Sequence, residues 1–232
     1  MKKLIMTFLV VFMAAGLFAQ NTFFTTKAGA ELTYAEKDAR GRVNAYSKMT
    51  IKSVQGSGRN MTISYETELL DKNRKSLNPP QVVPLTIVIK DNVMTLDMNG
   101  FFSGALSGAL KDQSIKIEVS GTPVEIPGNL QVGQTIKDSE TTMTMDMGIM
   151  KMDTVVKQTD GKCEAIEDVT VQAGTFKCHK ISQTVTTTAM RKTQVMKVIT
   201  WYAPGVGTVK TETYDTKNKL QGSSELVEVK GN

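Results

Sequence analysis

The chain has 232 residues, of which 22% are charged, and a formal net charge of +5. Its Lys and Arg residues are scattered singly instead of clustering in one stretch, which argues against a nucleic-acid interface. There is one His in the whole chain, and no G-x-S-x-G, H-E-x-x-H or phosphate-binding glycine pattern occurs, so the sequence predicts no catalytic residue, no metal site and no cofactor.

The first 19 residues have the pattern of a secretory signal peptide. Lys2 and Lys3 precede an apolar run over residues 4–18, and Ala19 places a small residue at the expected cleavage point. The run is shorter than the roughly 20 residues that span a bilayer, and polar residues follow it. No Cys stands at the cleavage point. We therefore expect residues 20–232 to be exported to the periplasm or the medium, without a lipid anchor or a membrane span.

From Ala30 onward, apolar and polar side chains alternate with a period of two, which is typical of antiparallel strands with one buried face. The alternation is clear over residues 43–51, 61–69 and 115–119, and Gly, Asp and Asn residues separate such stretches. A Pro- and Gly-rich crossing at 120–134 is the longest irregular stretch. It either divides two subdomains or is a crossover within one domain, and the similar strands on both sides favour one all-β domain over 20–232.

The stretch 101–110 breaks this alternation. Its Phe102, Leu106 and Leu110 recur every four residues, a spacing that favours a short helix or loop with one apolar side. We therefore expect a short helical plug that closes one end of the sheet.

Two stripes of apolar residues follow the same period of two. Because thioether sulfur is a soft ligand, a Cu(I) site is one interpretation. The Leu within one stripe and the absence of Cys from both indicate instead that the stripes face an apolar interior, since Met fills irregular apolar space readily. Such stripes either pack solid or line a cavity for a lipid or another hydrophobic ligand. The candidate lining residues are Met94, Leu96, Met98, Met143, Met145 and Met147.

Cys163 and Cys178 are the two cysteines of the chain. In an exported protein, an even number of cysteines predicts a disulfide. If residues 171–174 form a tight hairpin turn, however, Cys178 faces a residue near Asp168. The bridge then requires a bulge, a wider loop or a different strand pairing.

The segment W-Y-A-P-G-V-G joins two predicted strands near the C-terminus. Pro204 fixes one turn dihedral, while Gly205 and Gly207 allow positive φ, so we interpret the segment as a fold-signature turn. Trp201 and Tyr202, at its start, should lie on opposite faces of their strand.

Together with V-T-V-Q-A-G-T-F at 169–176, this turn resembles the TapB-like family of exported domains of unknown function. In that family V-x-V-P-A-G-T-F precedes W-Y-A-P-G-V-G, and Gln172 stands where many members have Pro. The resemblance implies a single, strongly curved antiparallel sheet, a half-barrel or open barrel similar to envelope lipoprotein carriers. It supplies no catalytic residues.

Two functions remain open at this point. The first is a non-catalytic binding module that holds a hydrophobic ligand or lipid on the concave face of the sheet. The second is a structural or interaction protein that engages another envelope component through its sheet edge or outer face. An enzyme is the least favoured class, since no catalytic motif is found.

Overall fold

The structure, a computed structural model, describes residues 22–97, 116–146, 148 and 150–231. Within these ranges the chain forms thirteen strands and no helix. The predicted signal peptide, 1–19, and the predicted helical plug, 101–110, lie outside the described residues, so the plug has no support. The strands are β1 (Glu31–Asp38), β2 (Val43–Ser57), β3 (Asn60–Leu70), β4 (Ser76–Lys90), β5 (Val93–Leu96), β6 (Lys116–Thr122), β7 (Glu125–Pro127), β8 (Ser139–Asp146), β9 (Lys151–Val171), β10 (Gly174–Ala189), β11 (Lys192–Ala203), β12 (Gly207–Tyr214) and β13 (Leu220–Lys230).

All of these strands belong to one sheet. Their order across it is β6, β8, β9, β10, β11, β12, β13, β1, β2, β3, β4, β5 and β7. The neighbouring strands are antiparallel throughout. The prediction of an all-β protein built on a single antiparallel sheet is therefore confirmed. The sheet is not closed, because β6 and β7 form its two edges.

Alternation of apolar and polar side chains explains why one face of each strand is buried. On β2 and β3, Ile51 and Ile63 belong to a buried cluster, while Lys48 and Glu68 form an ion pair of 3.1 Å on the opposite face. A sheet with such a pattern buries its apolar face in the core and leaves the other face in water.

Met94 on β5 shows that the sheet curls. It packs against a buried cluster on β2, β3 and β4 that includes Ile63 and Ile87. It also packs against a second cluster that includes Cys163 on β9 and Ile181 on β10. Seven strands separate β5 from β10 in the sheet order. One side chain reaches both clusters only if the sheet bends round, so the face that these residues share is the concave face.

The segment 22–25 crosses one end of the concave space. Phe23 is 1% exposed and packs edge-to-face on His179 of β10, with 4.8 Å between ring centroids. Phe24 packs on Tyr65 of β3 at 5.2 Å. Because the two rings reach strands on different sides of the curled sheet, the segment holds these sides together.

The connection between β7 and β8 covers the same end. Leu130 is fully buried and Ile136 is 7% exposed, and both belong to the cluster of Phe23. The Ile136 backbone N–H donates a hydrogen bond of 2.7 Å to the Gly161 carbonyl on β9. Segments 22–25 and 128–136 together form what we call the floor, and the concave space above it is the lumen.

The predicted disulfide is wrong. Cys178 faces Glu167 across the β9–β10 ladder, whereas Cys163 faces Ile181. The two positions are three residues apart along β10, which at the rise of a strand is about 10 Å. A bridge requires Cα atoms within about 7 Å. The cysteines also lie in different clusters, and both are free and buried.

The predicted fold-signature turn joins β11 to β12. Gly205 and Gly207 have φ values of +73° and +124°, a region that favours glycine. The Gly205 N–H donates a hydrogen bond of 2.9 Å to the Thr22 carbonyl, which attaches the turn to the floor. Trp201 packs in a cluster with Cys178, and Tyr202 packs with the floor cluster, so the two rings lie on opposite faces.

Candidate functional site

Five neighbouring strands carry half-buried apolar side chains on the concave face. Val185 is four residues beyond Ile181 on the uninterrupted β10–β11 ladder, and it pairs with Met196. Val119 likewise pairs with Met143. Directly opposed residues project from the same face of a sheet, so strand register places the whole set in the lumen. This set, the apolar wall, consists of Ile117, Val119, Met143, Met145, Val156, Val185, Met196 and Val198, all of them half-buried.

The two predicted stripes lie on different parts of the sheet. Met94 and Leu96, on β5, pack against the buried cluster of β2, β3 and β4. Met143 and Met145, on β8, belong to the apolar wall. Met98 and Met147 lie outside the described residues. Strand register directs the described members of both stripes to the concave face.

A slot separates the two edges of the sheet. It is a cavity of about 460 Å³ between β4 and β5 on one side and β6 and β8 on the other. Leu96 and Val119 line it from the concave face, while Val88 and Thr95 belong to the convex face by register. The slot therefore connects the lumen with the outside. Its volume lies within the range of about 300–1,000 Å³ that is usual for ligand sites.

Three tyrosines stand where the lumen meets the floor. Tyr65 contacts Phe24, and Tyr202 contacts Phe23 with 5.6 Å between ring centroids. Burial raises the pKa of Tyr34 and of Tyr65, and the neighbouring phenol of Tyr202 raises both further. The phenols therefore stay protonated and are able to donate hydrogen bonds.

Glu36 places a carboxylate on the concave face. It lies on one cross-strand row with Ser224 of β13 and Thr211 of β12. Ser47 and Ser224 donate hydrogen bonds of 2.8 and 3.1 Å to its Oε1. Among the described residues, no Lys, Arg or His forms an ion pair with Glu36.

The convex face is charged and carries the single Trp. The indole Nε1–H of Trp201 donates a hydrogen bond of 2.7 Å to Glu167 Oε1. The ammonium groups of Lys180 and Lys210 lie 5.2 and 5.3 Å from the centre of the indole ring, a cation–π arrangement. Lys210 also forms an ion pair of 2.7 Å with Glu212. These contacts account for Trp201 as a packed residue of the outer face.

A second cavity, of about 670 Å³, lies beside the fold-signature turn. Its lining includes Phe176, His179 and Pro204. The Nδ1 atom of His179 is buried and has no hydrogen-bond partner among the described residues. Burial lowers the pKa of His179 below its usual 6.5, against a hydrogen bond with the Leu130 backbone that raises it, and the charge of Lys177 lowers it further, so the imidazole is neutral near pH 7. Because Nδ1 is shielded from solvent, the reachable polar side chains of this cavity are those of Thr175 and Lys177.

No group of three or more His, Cys, Asp and Glu side chains is gathered in a way that holds a metal ion within the described ranges. Those ranges also contain no helix long and apolar enough to cross a membrane.

The sequence analysis named Tyr202 as part of the fold-signature turn, but it missed Glu36, Tyr34 and Tyr65 as site residues. Leu32, Tyr34 and Glu36 follow one another at a spacing of two, so a carboxylate interrupts an apolar strand face. That interruption could have identified Glu36 from the sequence. No sequence pattern indicates the approach of Tyr202 to Tyr34 and Tyr65, because it depends on how the distant strands curl round.

Comparisons with known proteins support the fold. A family profile described as DUF3108-like matches residues 27–226. A "putative exported protein with YmcC-like fold" from Bacteroides fragilis has a similar structure, with a TM-score of 0.68 and 17% identity over 90% of this chain and 99% of that one. A "putative lipoprotein" from Parabacteroides distasonis is also similar, with a TM-score of 0.69 and 18% identity over 90% of this chain and 98% of that one. At such identities the likeness shows the fold alone. No curated protein matches. The TapB-like name is not confirmed.

Proposed function

Since the chain belongs to the DUF3108-like family, a family of domains of unknown function, we propose its role from its geometry. It is an exported, non-catalytic binding protein that holds an amphipathic molecule, with the apolar chain of that molecule against the concave face. The apolar wall is the observation that carries this proposal.

The contrast between the two halves of the concave face supports a ligand site. Near the floor, Ile63, Leu130 and Cys163 are fully buried. Further along the same face, the apolar wall is only half-buried, although its residues are as apolar. Covering such a surface with an apolar chain removes it from water, which is favourable by about 25 cal/mol per Å². The slot gives an elongated molecule a lateral route to the wall.

An isosteric double substitution, Val156→Thr with Val198→Thr, tests the proposal. Each change replaces one methyl group by a hydroxyl and keeps the β-branched shape. Two methyl groups contribute about 1.6 kcal/mol to burial, so affinity for the uncharged dye N-phenyl-1-naphthylamine should fall about tenfold.

Val195→Thr is the matched control, because Val195 is 38% exposed and projects from the convex face of the same strand. It should leave dye affinity unchanged. Failure of the native protein to bind the dye would falsify the proposal, and so would an equal loss in the control.

A second candidate function is strand addition by a protein partner. The outward edge of β6, Lys116–Thr122, has no strand beside it among the described residues, and an unpaired edge is a template for another strand. Native mass spectrometry of protein purified from the exported fraction separates the two functions. A bound small molecule supports the lumen site, whereas a stoichiometric polypeptide without a small molecule supports strand addition.

A further inference from the structure

We infer that the lumen selects its ligand by charge and takes an uncharged or cationic amphiphile, discriminating against anionic ones. The inference rests on the proposed function, since it assigns the chemical class of the molecule that the apolar wall holds. It comes from the distribution of charged side chains between the two faces of the sheet.

The basic residues of the strands lie away from the lumen. Lys48, Lys157 and Lys210 project from the convex face, where each forms an ion pair with a Glu at 3.1, 2.9 and 2.7 Å. Lys192 lies at the β10–β11 hairpin tip, and Lys177 lines the second cavity, beside the fold-signature turn. Lys90 lines the slot, from the convex face of β4 by register. Among the described residues, no Lys or Arg projects from the concave face between the floor and the hairpin tips.

Among the described residues of the concave face, Glu36 carries a charge that no ion pair neutralises. Asp38, the other carboxylate on the concave side of β1, is held by Arg42 at 2.6 Å at the hairpin tip. The hydrogen bonds from Ser47 and Ser224 both go to Oε1 of Glu36, which leaves Oε2 as an acceptor. Glu36 is therefore placed to accept hydrogen bonds from a hydroxyl or ammonium group.

The apolar wall begins three strands away from this carboxylate, since β12 and β13 stand between β11 and β1, which corresponds to about 14 Å along the sheet. Ile181, Thr200, Thr211, Ser224 and Glu36 form one continuous cross-strand row over β10, β11, β12, β13 and β1. Val198 of the wall stands on the next row of the same face. A chain that lies on the wall and extends across β12 and β13 brings its polar end to Glu36. An anionic head would meet a like charge in a partly desolvated space, where Coulomb interactions are stronger than in water.

Three ligands with the same twelve-carbon chain test the inference: dodecylamine, dodecanol and dodecanoate. Each ligand is titrated into the native protein with bound N-phenyl-1-naphthylamine at pH 7, below the critical micelle concentration of the ligand. Its affinity is obtained from the displacement of the dye. We expect the amine to bind at least as tightly as the alcohol, and the carboxylate at least about tenfold more weakly than the amine.

Glu36→Gln keeps an acceptor oxygen for the two serine hydroxyls and removes the charge. We expect it to bring the affinities for the amine and the carboxylate within about twofold of each other, with each affinity calculated from the dye affinity measured for that variant. Glu225→Gln is the matched control, since Glu225 pairs with Lys37 on the convex face at 2.5 Å, and it should preserve the native preference.

Two outcomes overturn the charge selectivity alone: equal binding of carboxylate and amine by the native protein, or an unchanged preference in Glu36→Gln. If neither the dye nor any of the three ligands binds, the proposed function and the inference both fail.

Discussion

Replacing Phe23 by Ala removes the ring that fixes the floor to β10. The side chain is 1% exposed and packs on both His179 and Tyr202. A buried aromatic side chain covers about 150–250 Å², which at about 25 cal/mol per Å² corresponds to about 4–6 kcal/mol before the retained Ala methyl is subtracted. Measured Phe→Ala changes in protein cores cost about 3–5 kcal/mol. We therefore expect the free energy of unfolding to fall by about 4 kcal/mol.

Equilibrium unfolding in guanidinium chloride measures this loss. Trp201, the single Trp, is 7% exposed and belongs to a cluster on the other face, so its fluorescence reports global unfolding instead of local change at the floor. Leu69→Ala is the control, because Leu69 is 36% exposed on the concave face of β3, and it should cost about 1 kcal/mol or less. A Phe23→Ala protein as stable as this control would show that the segment 22–25 is not part of the core.

Three further predictions concern the turns and the cysteines. Gly205→Val should destabilise the protein by about 1–3 kcal/mol, because a β-branched residue is strained at φ +73°, while Gly205→Asn should be tolerated; equal stability of the two variants would contradict the turn geometry. Burial raises the pKa of the Cys178 thiol to about 12 and that of Cys163 above its usual value. Iodoacetamide at pH 8 should therefore label no thiol in native protein and two in protein unfolded without reductant, whereas no labelling after unfolding would indicate a disulfide. A hydrogen bond from the Lys75 backbone N–H holds the pKa of Asp71 below its usual 3.8. The stability this gives is present above pH 3.8 and lost as pH falls through the folded pKa, so Asp71→Asn should show a shallower acid-induced loss in pH-dependent unfolding.

Local alternation explains why most strands could be predicted. The repeating pattern that contains Ile51 and Ile63 reflects burial of one face, and each strand carries that signal within its own residues. The disulfide depended on information of another kind. Whether Cys163 meets Cys178 is decided by strand register and by a shift between Lys180 and Ile181, which no local pattern encodes.

Some features of the candidate site could likewise be predicted from local sequence, whereas others depend on how distant strands meet. The spacing of Met143 and Met145 was enough to place both on one strand face, and register assigns that face to the lumen. The position of Val119 and Thr141 across the slot from Leu96 was not predictable, because β5 approaches β6 and β8 only when the sheet curls. Glu36 was visible in the sequence, but its importance depends on the absence of basic side chains from the concave face of the neighbouring strands, which only the full strand register shows.

The link of Pro123 and Val124 joins β6 to β7, the two opposite edges of the sheet. Three Cα–Cα steps of 3.8 Å limit the separation of Thr122 and Glu125 to about 11 Å. The two edges are thus held together at one end by this link. A bulky ligand can widen the slot only at the end away from Pro123 and Val124. The same link keeps the two edges facing each other. It therefore limits how many residues of either edge can pair with a strand of another molecule.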